Sequence, residues 1–335
     1  MESSQLRSLV ADLLLDAGID AGGIDIGLIN GGGNNQVFVV HARAGKYLAK
    51  VYYASSSDPR NRLGSEFSFL SYAWGIGLRC IPEPICCCPE KNIGLYELVE
   101  GRKMVSAELT RQHIIEAGRF IRELNAGPNR DRTLPVASEG CFSIEQHFAL
   151  IDRRVKRLQN LPDVSDLDRR ANLFVDEIED AWIKVRHGIS SGSESIHVQL
   201  AIDDRCISPS DFGFHNALLR NPGEICFIDF EYAGWDDPAK MCDDFFFQPA
   251  VPAPSDYFNL FVSEALSYSQ NRETMVERAR LFLPMFHMKW CCIMLNEFLP
   301  VAAGRRRFSN PAIDLEQSKR VQLEKAQQFF NSGLA

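Results

Sequence analysis

The sequence predicts an α+β chain of two lobes: an antiparallel-sheet N-lobe over residues 1–100, then a mainly helical C-lobe over residues 101–335. Three observations predict it. Short runs rich in β-branched and aromatic residues, separated by glycine turns, fill residues 24–99, whereas apolar positions recur with helical period from residue 106 onward. The helical part is interrupted by a hairpin pattern, with apolar runs at 217–219 and 225–228 around Asn221-Pro222-Gly223. That hairpin is bracketed by polar residues at fixed intervals, Asn216 five residues after Asp211 and Asp229 thirteen after Asn216.

Taken in order, residues 3–17 place Leu6, Leu9, Val10, Leu13 and Leu14 on one helical face, ended by Gly18 and the Gly22-Gly23 pair. Strands are expected at 37–40 and 47–52, joined by a turn at Gly45. The glycine-rich turn before them carries Gly32, Gly33 and Asn34. Glycine there lets backbone N–H groups approach a phosphate closely, and a hairpin tip is the plainer alternative. No Gly-Lys-Ser/Thr follows, which excludes a Walker A loop. Lys50 sits among Leu48, Ala49 and Val51, where burial without a partner is costly. Glu66 supplies that partner from a helix over 61–74, whose apolar face is Leu63, Phe67, Leu70 and Trp74. Arg60 and Arg62 are expected to solvate the start of that helix. A proline-bounded extended stretch at 81–85 and a strand at 94–99 complete the lobe.

Beyond Gly101, helices are expected at 109–124, 143–161, 166–186, 257–269, 273–299 and 315–330. Ser165 or Asp166 suits an N-cap and Gly188 a stop. Pro284 should break the helix that contains it. Residues 196–202 read as an extended stretch. Phe245-Phe246-Phe247, Met288 and Trp290 read as core, and Arg305-Arg306-Arg307 as a solvated loop.

The layout of Asp211, Asn216 and Asp229 suits phosphoryl transfer. That reaction needs a carboxylate to orient the attacking hydroxyl and hard oxygens to hold Mg²⁺ on the phosphates. The D-x-x-x-x-N spacing matches the catalytic loop of kinases, which assigns Asp211 as the catalytic residue and Asn216 and Asp229 as metal ligands. Asp211-Phe212-Gly213 also spells D-F-G, the magnesium motif of protein kinases. The Asn at catalytic-loop spacing and the hairpin that follows assign the magnesium role to Asp229, in an I-D-F-E setting.

These residues resemble the aminoglycoside phosphotransferase and choline kinase family, small-molecule relatives of protein kinases. Ile228 to Ala233, I-D-F-E-Y-A, is particularly similar to the choline and ethanolamine kinase branch, and W-D-D-P-A-K-M-C-D-D-F resembles the family's G-D-P-x-x-D-L segment. The resemblance runs in order from the glycine turn to Asp229. It implies a protein-kinase-like fold that binds ATP and Mg²⁺ and phosphorylates a hydroxyl of a small molecule (an amino alcohol, a sugar or an aminoglycoside). It implies that Lys50, oriented by Glu66, steadies the α- and β-phosphates, and that main-chain groups of Glu97 to Val99 hold the adenine. Asp243 is taken as the structural carboxylate of D-P-x-x-D, bracing the catalytic loop. Glu231 is open between a substrate-side carboxylate and a neighbour's partner. Tyr232, Trp235 and Trp290 are candidates for an aromatic cage around a quaternary ammonium. The family's His two residues before the catalytic Asp is replaced by Pro209. A catalytically silent nucleotide-binding or scaffold protein of the same fold is the alternative, and retention of Lys50, Asp211, Asn216 and Asp229 together argues against it. No A-P-E segment follows Asp229, which argues against protein substrates.

Composition sets the outer limits. A net charge of −8 argues against a nucleic-acid partner. No apolar run approaches the roughly 18 residues of a membrane span, and the N-terminus has no signal-peptide pattern. The ten cysteines form no C-x-x-C and sit mostly in apolar runs, as reduced thiols of a cytoplasmic protein do.

Overall fold

The computed structural model describes residues 3–29, 35–54, 58, 60–128, 130–193, 196–220, 223–310 and 312–332. Helix α1 (Ser3–Asp16) precedes strands β1 (Asp25–Ile29), β2 (Gln36–Ala42) and β3 (Gly45–Val51). Helix α2 (Arg62–Gly75), β4 (Pro84–Cys88) and β5 (Ile93–Glu97) follow. The five strands form one antiparallel sheet in the order β1-β2-β3-β5-β4.

Alternation along β3 decides what each side of this sheet does. Ala49 and Val51 face α1 and pack with Leu6, Val10, Leu13 and Leu14. Leu48 turns to the opposite core, with α2, and the same parity sends Lys50 to the α2 side. Asn61 starts α2 by accepting the Gly64 N–H at 2.9 Å, and Glu66 lies one turn in, within reach of β3.

The remainder is helical around small sheets. A short strand, β6 (Arg102–Lys103), leads to α3 (Arg111–Asn125), α4 (Ile144–Leu158) and α5 (Asp166–Gly192). Thr110, Ser143 and Ser165 cap the three helices. Strand β7 (Cys206–Ser208), the hairpin β8 (Ala217–Leu219) and β9 (Ile225–Phe227), and β10 (Gly234–Asp236) come next. β6 adds to the hairpin and β10 pairs with β7. Helices α6 (Pro238–Phe247), α7 (Phe258–Ala265), α8 (Arg272–Met294), α9 (Pro300–Ser309) and α10 (Leu315–Ser332) close the lobe.

Four expectations need correction. α8 runs through Pro284 without a break; the helix is lined with buried residues against α4, α5, α6 and α10, and that packing offsets the hydrogen bond proline removes. α5 passes Gly188 to Gly192, and residues 196–202 hold turns and a short 3₁₀ segment instead of an extended run. Arg305 and Arg306 lie on a helix, α9, not in a solvated loop. The tail of α9 reaches the sheet lobe, where Phe308 meets Tyr53 edge-on at 5.4 Å and its carbonyl accepts from Gln36 Nε2 at 3.2 Å.

Candidate active site

A cleft of about 940 Å³ runs between the sheet and the helices, and Lys50, Glu66, Glu97, Val99, Asp211, Asn216 and Asp229 all line it. Gly32, Gly33 and Asn34 lie outside the described residues.

On the sheet side, Lys50 Nζ is 2.7 Å from Glu66 Oε2 and also contacts Asp229 Oδ1. Burial would lower the lysine's pKa, but the charges of Asp229, Glu66 and Glu231 push it well above its ordinary value. Glu66 is held from several directions. Tyr52 donates its hydroxyl at 2.7 Å and shares a second hydrogen bond, 2.7 Å long, with the Tyr96 hydroxyl, and the Phe230 N–H donates at 3.3 Å. The pair is therefore rigid. Glu97 donates its N–H to the Glu83 carbonyl at 2.8 Å and its carboxylate accepts from Arg220 at 2.8 Å.

The segment from Asp211 to Asn216 is anchored by its aromatics. Phe212 and Phe214 are buried in a cluster with Phe120, Phe227, Phe245 and Phe261, at ring distances of 5.0–5.6 Å from Phe212 to Phe120, Phe227 and Phe245. With these rings inward, Asp211 and His215 are left at the cleft. His215 Nε2 lies 3.3 Å from Asp211 Oδ1. Burial opposes ionisation of Asp211, but the hydrogen bond with His215, that residue's electrostatic pull and more distant Lys289 together hold its pKa below the ordinary value. It is thus an anion at neutral pH, about a third exposed, able to accept a hydroxyl hydrogen bond.

Asn216 Nδ2 donates to the Asp211 carbonyl at 3.0 Å, which leaves its amide oxygen for a cation. The Ile228 N–H donates to the Asn216 carbonyl at 2.9 Å, tying the start of the hairpin to its far end beside Asp229. Asp229 has a left-handed φ of 68° and a side chain 40% exposed. One amide oxygen and one carboxylate fit Mg²⁺, which takes hard oxygens and completes its shell with phosphate and water. Among the described residues no three His, Cys, Asp or Glu side chains converge to hold a metal unaided.

The loop has no His at Pro209 and is braced otherwise. Asn125 bonds both main-chain groups of Ile207, at 2.7 and 2.9 Å, Ser208 Oγ accepts the Ser210 N–H at 3.0 Å, and Lys240 reaches Ser210 Oγ at 3.5 Å while pairing with Asp236 at 2.5 Å. Asp243 does not brace the loop. Its oxygens are buried without a hydrogen-bond partner, and burial, with Asp244 and Asp237 nearby, pushes its pKa well up. It also lies five residues after Pro238, where the D-P-x-x-D spacing reaches Met241. Asp237 caps α6 by accepting the Ala239 N–H at 2.9 Å and binds His147 and Arg278.

Arg62 is likewise not a solvating residue. It is 2% exposed, paired with Asp58 at 2.5 Å and 3.6 Å from Glu231. Arg60 also binds Asp58, at 2.6 Å. Glu231 is 3% exposed and accepts from Asn35 Nδ2 at 2.6 Å, so it serves as a neighbour's partner. The aromatic cage does not assemble. Arg60 and Arg62 lie over the Tyr232 ring at 5.2 and 5.8 Å, Trp235 lines a separate pocket under Arg130, and Trp290 Nε1 donates to Asp244 at 2.8 Å.

Sequence reasoning missed His215, Lys103, whose Nζ donates to the His215 carbonyl at 3.1 Å, and the charged wall opposite the sheet. A histidine four residues past Asp211 was a usable signal; the wall, assembled from α4, α6, α8 and α9, had none. No described helix is long and apolar enough to cross a membrane, and all ten cysteines are free.

Among curated proteins, none matches the chain in sequence. Solved structures do match it. A choline kinase from Cryptosporidium parvum is similar at a TM-score of 0.60 and 15% identity, over 99% of this chain and 98% of that one. A choline kinase from Streptococcus pneumoniae is similar at 0.58 and 14%, over 98% and 99%. A spectinomycin phosphotransferase, solved with ADP and spectinomycin, is similar at 0.57 and 13%, over 98% of each chain. At these identities the likeness establishes the two-lobed kinase-like fold. The match of the phosphotransferase enzyme family to residues 25–240, well over half of the sequence, completes the assignment: the chain belongs to that family.

Proposed function

We propose that the chain transfers the γ-phosphoryl group of ATP to a hydroxyl of a small molecule. The observation that carries this reading is the convergence, in one cleft, of the Lys50–Glu66 pair with Asp211, Asn216 and Asp229. Asp211 accepts a hydrogen bond from the acceptor hydroxyl and aims its oxygen at the γ-phosphorus. A bond forms between that oxygen and phosphorus, the bond from phosphorus to the β-phosphate oxygen breaks, ADP leaves, and the hydroxyl proton passes to Asp211 or to water. Lys50 holds the α- and β-phosphates. Asn216 and Asp229 would hold Mg²⁺, which when bound neutralises charge on the β- and γ-phosphates. The turn at Gly32, Gly33 and Asn34 would cover the phosphates, and the main chain of Glu97 to Val99, next to a lobe boundary near Gly101, would take the adenine. The structurally similar spectinomycin enzyme, solved with ADP, supports a nucleotide in this cleft.

The test is ADP release from Mg·ATP across amino alcohols, sugars, hydroxy acids and aminoglycosides, with Asp211→Ala beside the wild type. Stimulated release that the variant abolishes is the expected result. Mg·ATP affinity and cellular function both unchanged in the variant would favour the silent alternative.

A further inference from the structure

The wall of the cleft opposite the sheet already satisfies its own carboxylates. Asp244 accepts from Lys289 at 2.8 Å through both oxygens and from Trp290 Nε1, and Lys240 stands 3.4 Å away. Glu139 is gripped by Arg154 Nη2 through both oxygens at 2.5 Å, and Glu297 is bound by Arg306. Burial alone would raise the pKa of Glu139, yet Arg154, Lys289 and Lys240 bring it down to about 2. A positively charged acceptor entering here would find each of these carboxylates taken and the Tyr232 face covered by arginine.

The cations are not satisfied in the same way. Arg154 is 8% exposed and lines the cleft, yet its Nε and Nη1 are buried without a hydrogen-bond partner. Arg305, on α9, also lines the cleft. Its Nε is buried and unpartnered, and among the described residues no carboxylate lies within 4 Å of it. Burial, with Arg60 and Arg62 nearby, lowers its pKa despite Tyr232 and Asp58. Arg154 and Arg305 both line this one cleft. Buried guanidinium donors left unmade cost stability, and a planar fork of such donors fits the paired oxygens of a carboxylate or phosphate.

We propose that the acceptor carries an anionic group, a carboxylate or a phosphate ester, besides its reacting hydroxyl, and that Arg154 and Arg305 bind that group. The proposal rests on the kinase reading for the hydroxyl, whereas the anion site can be measured without turnover.

The experiment is calorimetric titration of the full chain, with and without Mg·ADP, using gluconate, glucose 6-phosphate, glucose, glucosamine and choline. One-to-one binding of gluconate or glucose 6-phosphate, weakened about 10- to 100-fold in Arg305→Met and less in Arg305→Lys, is the expected result. Preference for gluconate identifies a carboxylate and preference for glucose 6-phosphate a phosphate ester. Arg154→Met should act in the same direction, and Arg305, which is partly buried on α9 and makes no ion pair among the described residues, gives a variant whose folding is checked by its melting curve. The proposal is overturned if neither anion binds, if glucosamine or choline binds more tightly, if both arginine variants bind the anions as the wild type does, or if they lose only Mg·ADP affinity. Failure of Mg·ATP to bind the wild type would instead overturn the kinase reading.

Discussion

Lys50 is enclosed by three carboxylates, whereas Arg305, across the same cleft, stands among Arg60 and Arg62 with no carboxylate within hydrogen-bonding reach among the described residues. The sheet half of the cleft is over-compensated with negative charge and the α8–α9 half is under-compensated. The first arrangement fixes a cation in place before any ligand arrives, so binding costs little reorganisation. The second leaves donors without a protein partner among the described residues. A phosphotransferase needs the nucleotide half whatever its acceptor; the acceptor half is where its choice of substrate is written.

The comparison can be tested from the largest effect downward. Asp211→Asn keeps the shape of the loop and removes the charge; kcat should fall by about 10²–10⁴-fold with little change in Mg·ATP affinity, read by single-turnover ADP release. Glu66→Ala strips a partner from a fully buried lysine and should cost about 3–5 kcal/mol in urea unfolding. Arg305→Met, by contrast, should leave unfolding within about 0.5 kcal/mol of the wild type, because no ion pair is lost. Equal losses in these two variants would erase the distinction between the halves.

Acid should act on the α8–α9 wall through Glu139. Its folded pKa of about 2 lies below the ordinary glutamate value, so the stabilisation is fully present above the unfolded pKa and is lost as pH falls from there toward 2. Glu139→Gln should therefore melt lower than the wild type at neutral pH, with the difference shrinking below the ordinary glutamate range and closing only as pH falls to about 2, as followed by thermal melts. The smallest effect is expected from Pro209→His. Asn125, Ser208 and Lys240 already hold the loop, so restoring the family's histidine should change kcat little; a large gain would show that the bracing is incomplete.

Much of the sheet half was legible in the sequence. Lys50 sat in an apolar strand with an obvious need for a partner, and Glu66 and the hairpin followed at regular intervals, so local pattern and fixed spacing led to the same cleft. The other half was not legible, because its contacts join distant segments. Lys289 meets Asp244 across 45 residues. Arg62 looked like a helix-start solvating residue because nothing local shows that Glu231, far along the chain, closes over it beside Asp58. Asp243 was misjudged because two adjacent aspartates on a buried helix differ only in which one faces a lysine, and Asp244 is the one that does.

Helix α9 carries Arg305 and Arg306 into the acceptor wall and, one turn on, is clasped to the sheet lobe through Phe308, Tyr53 and Gln36. A helix that lines the cleft and grips the sheet lobe makes the spacing of the lobes and the position of Arg305 one mechanical variable. Occupancy by either substrate should then alter the other's affinity, with the same coupling factor measured in either order. Loosening the clasp with Phe308→Ala should weaken that mutual dependence while leaving each binding surface chemically intact.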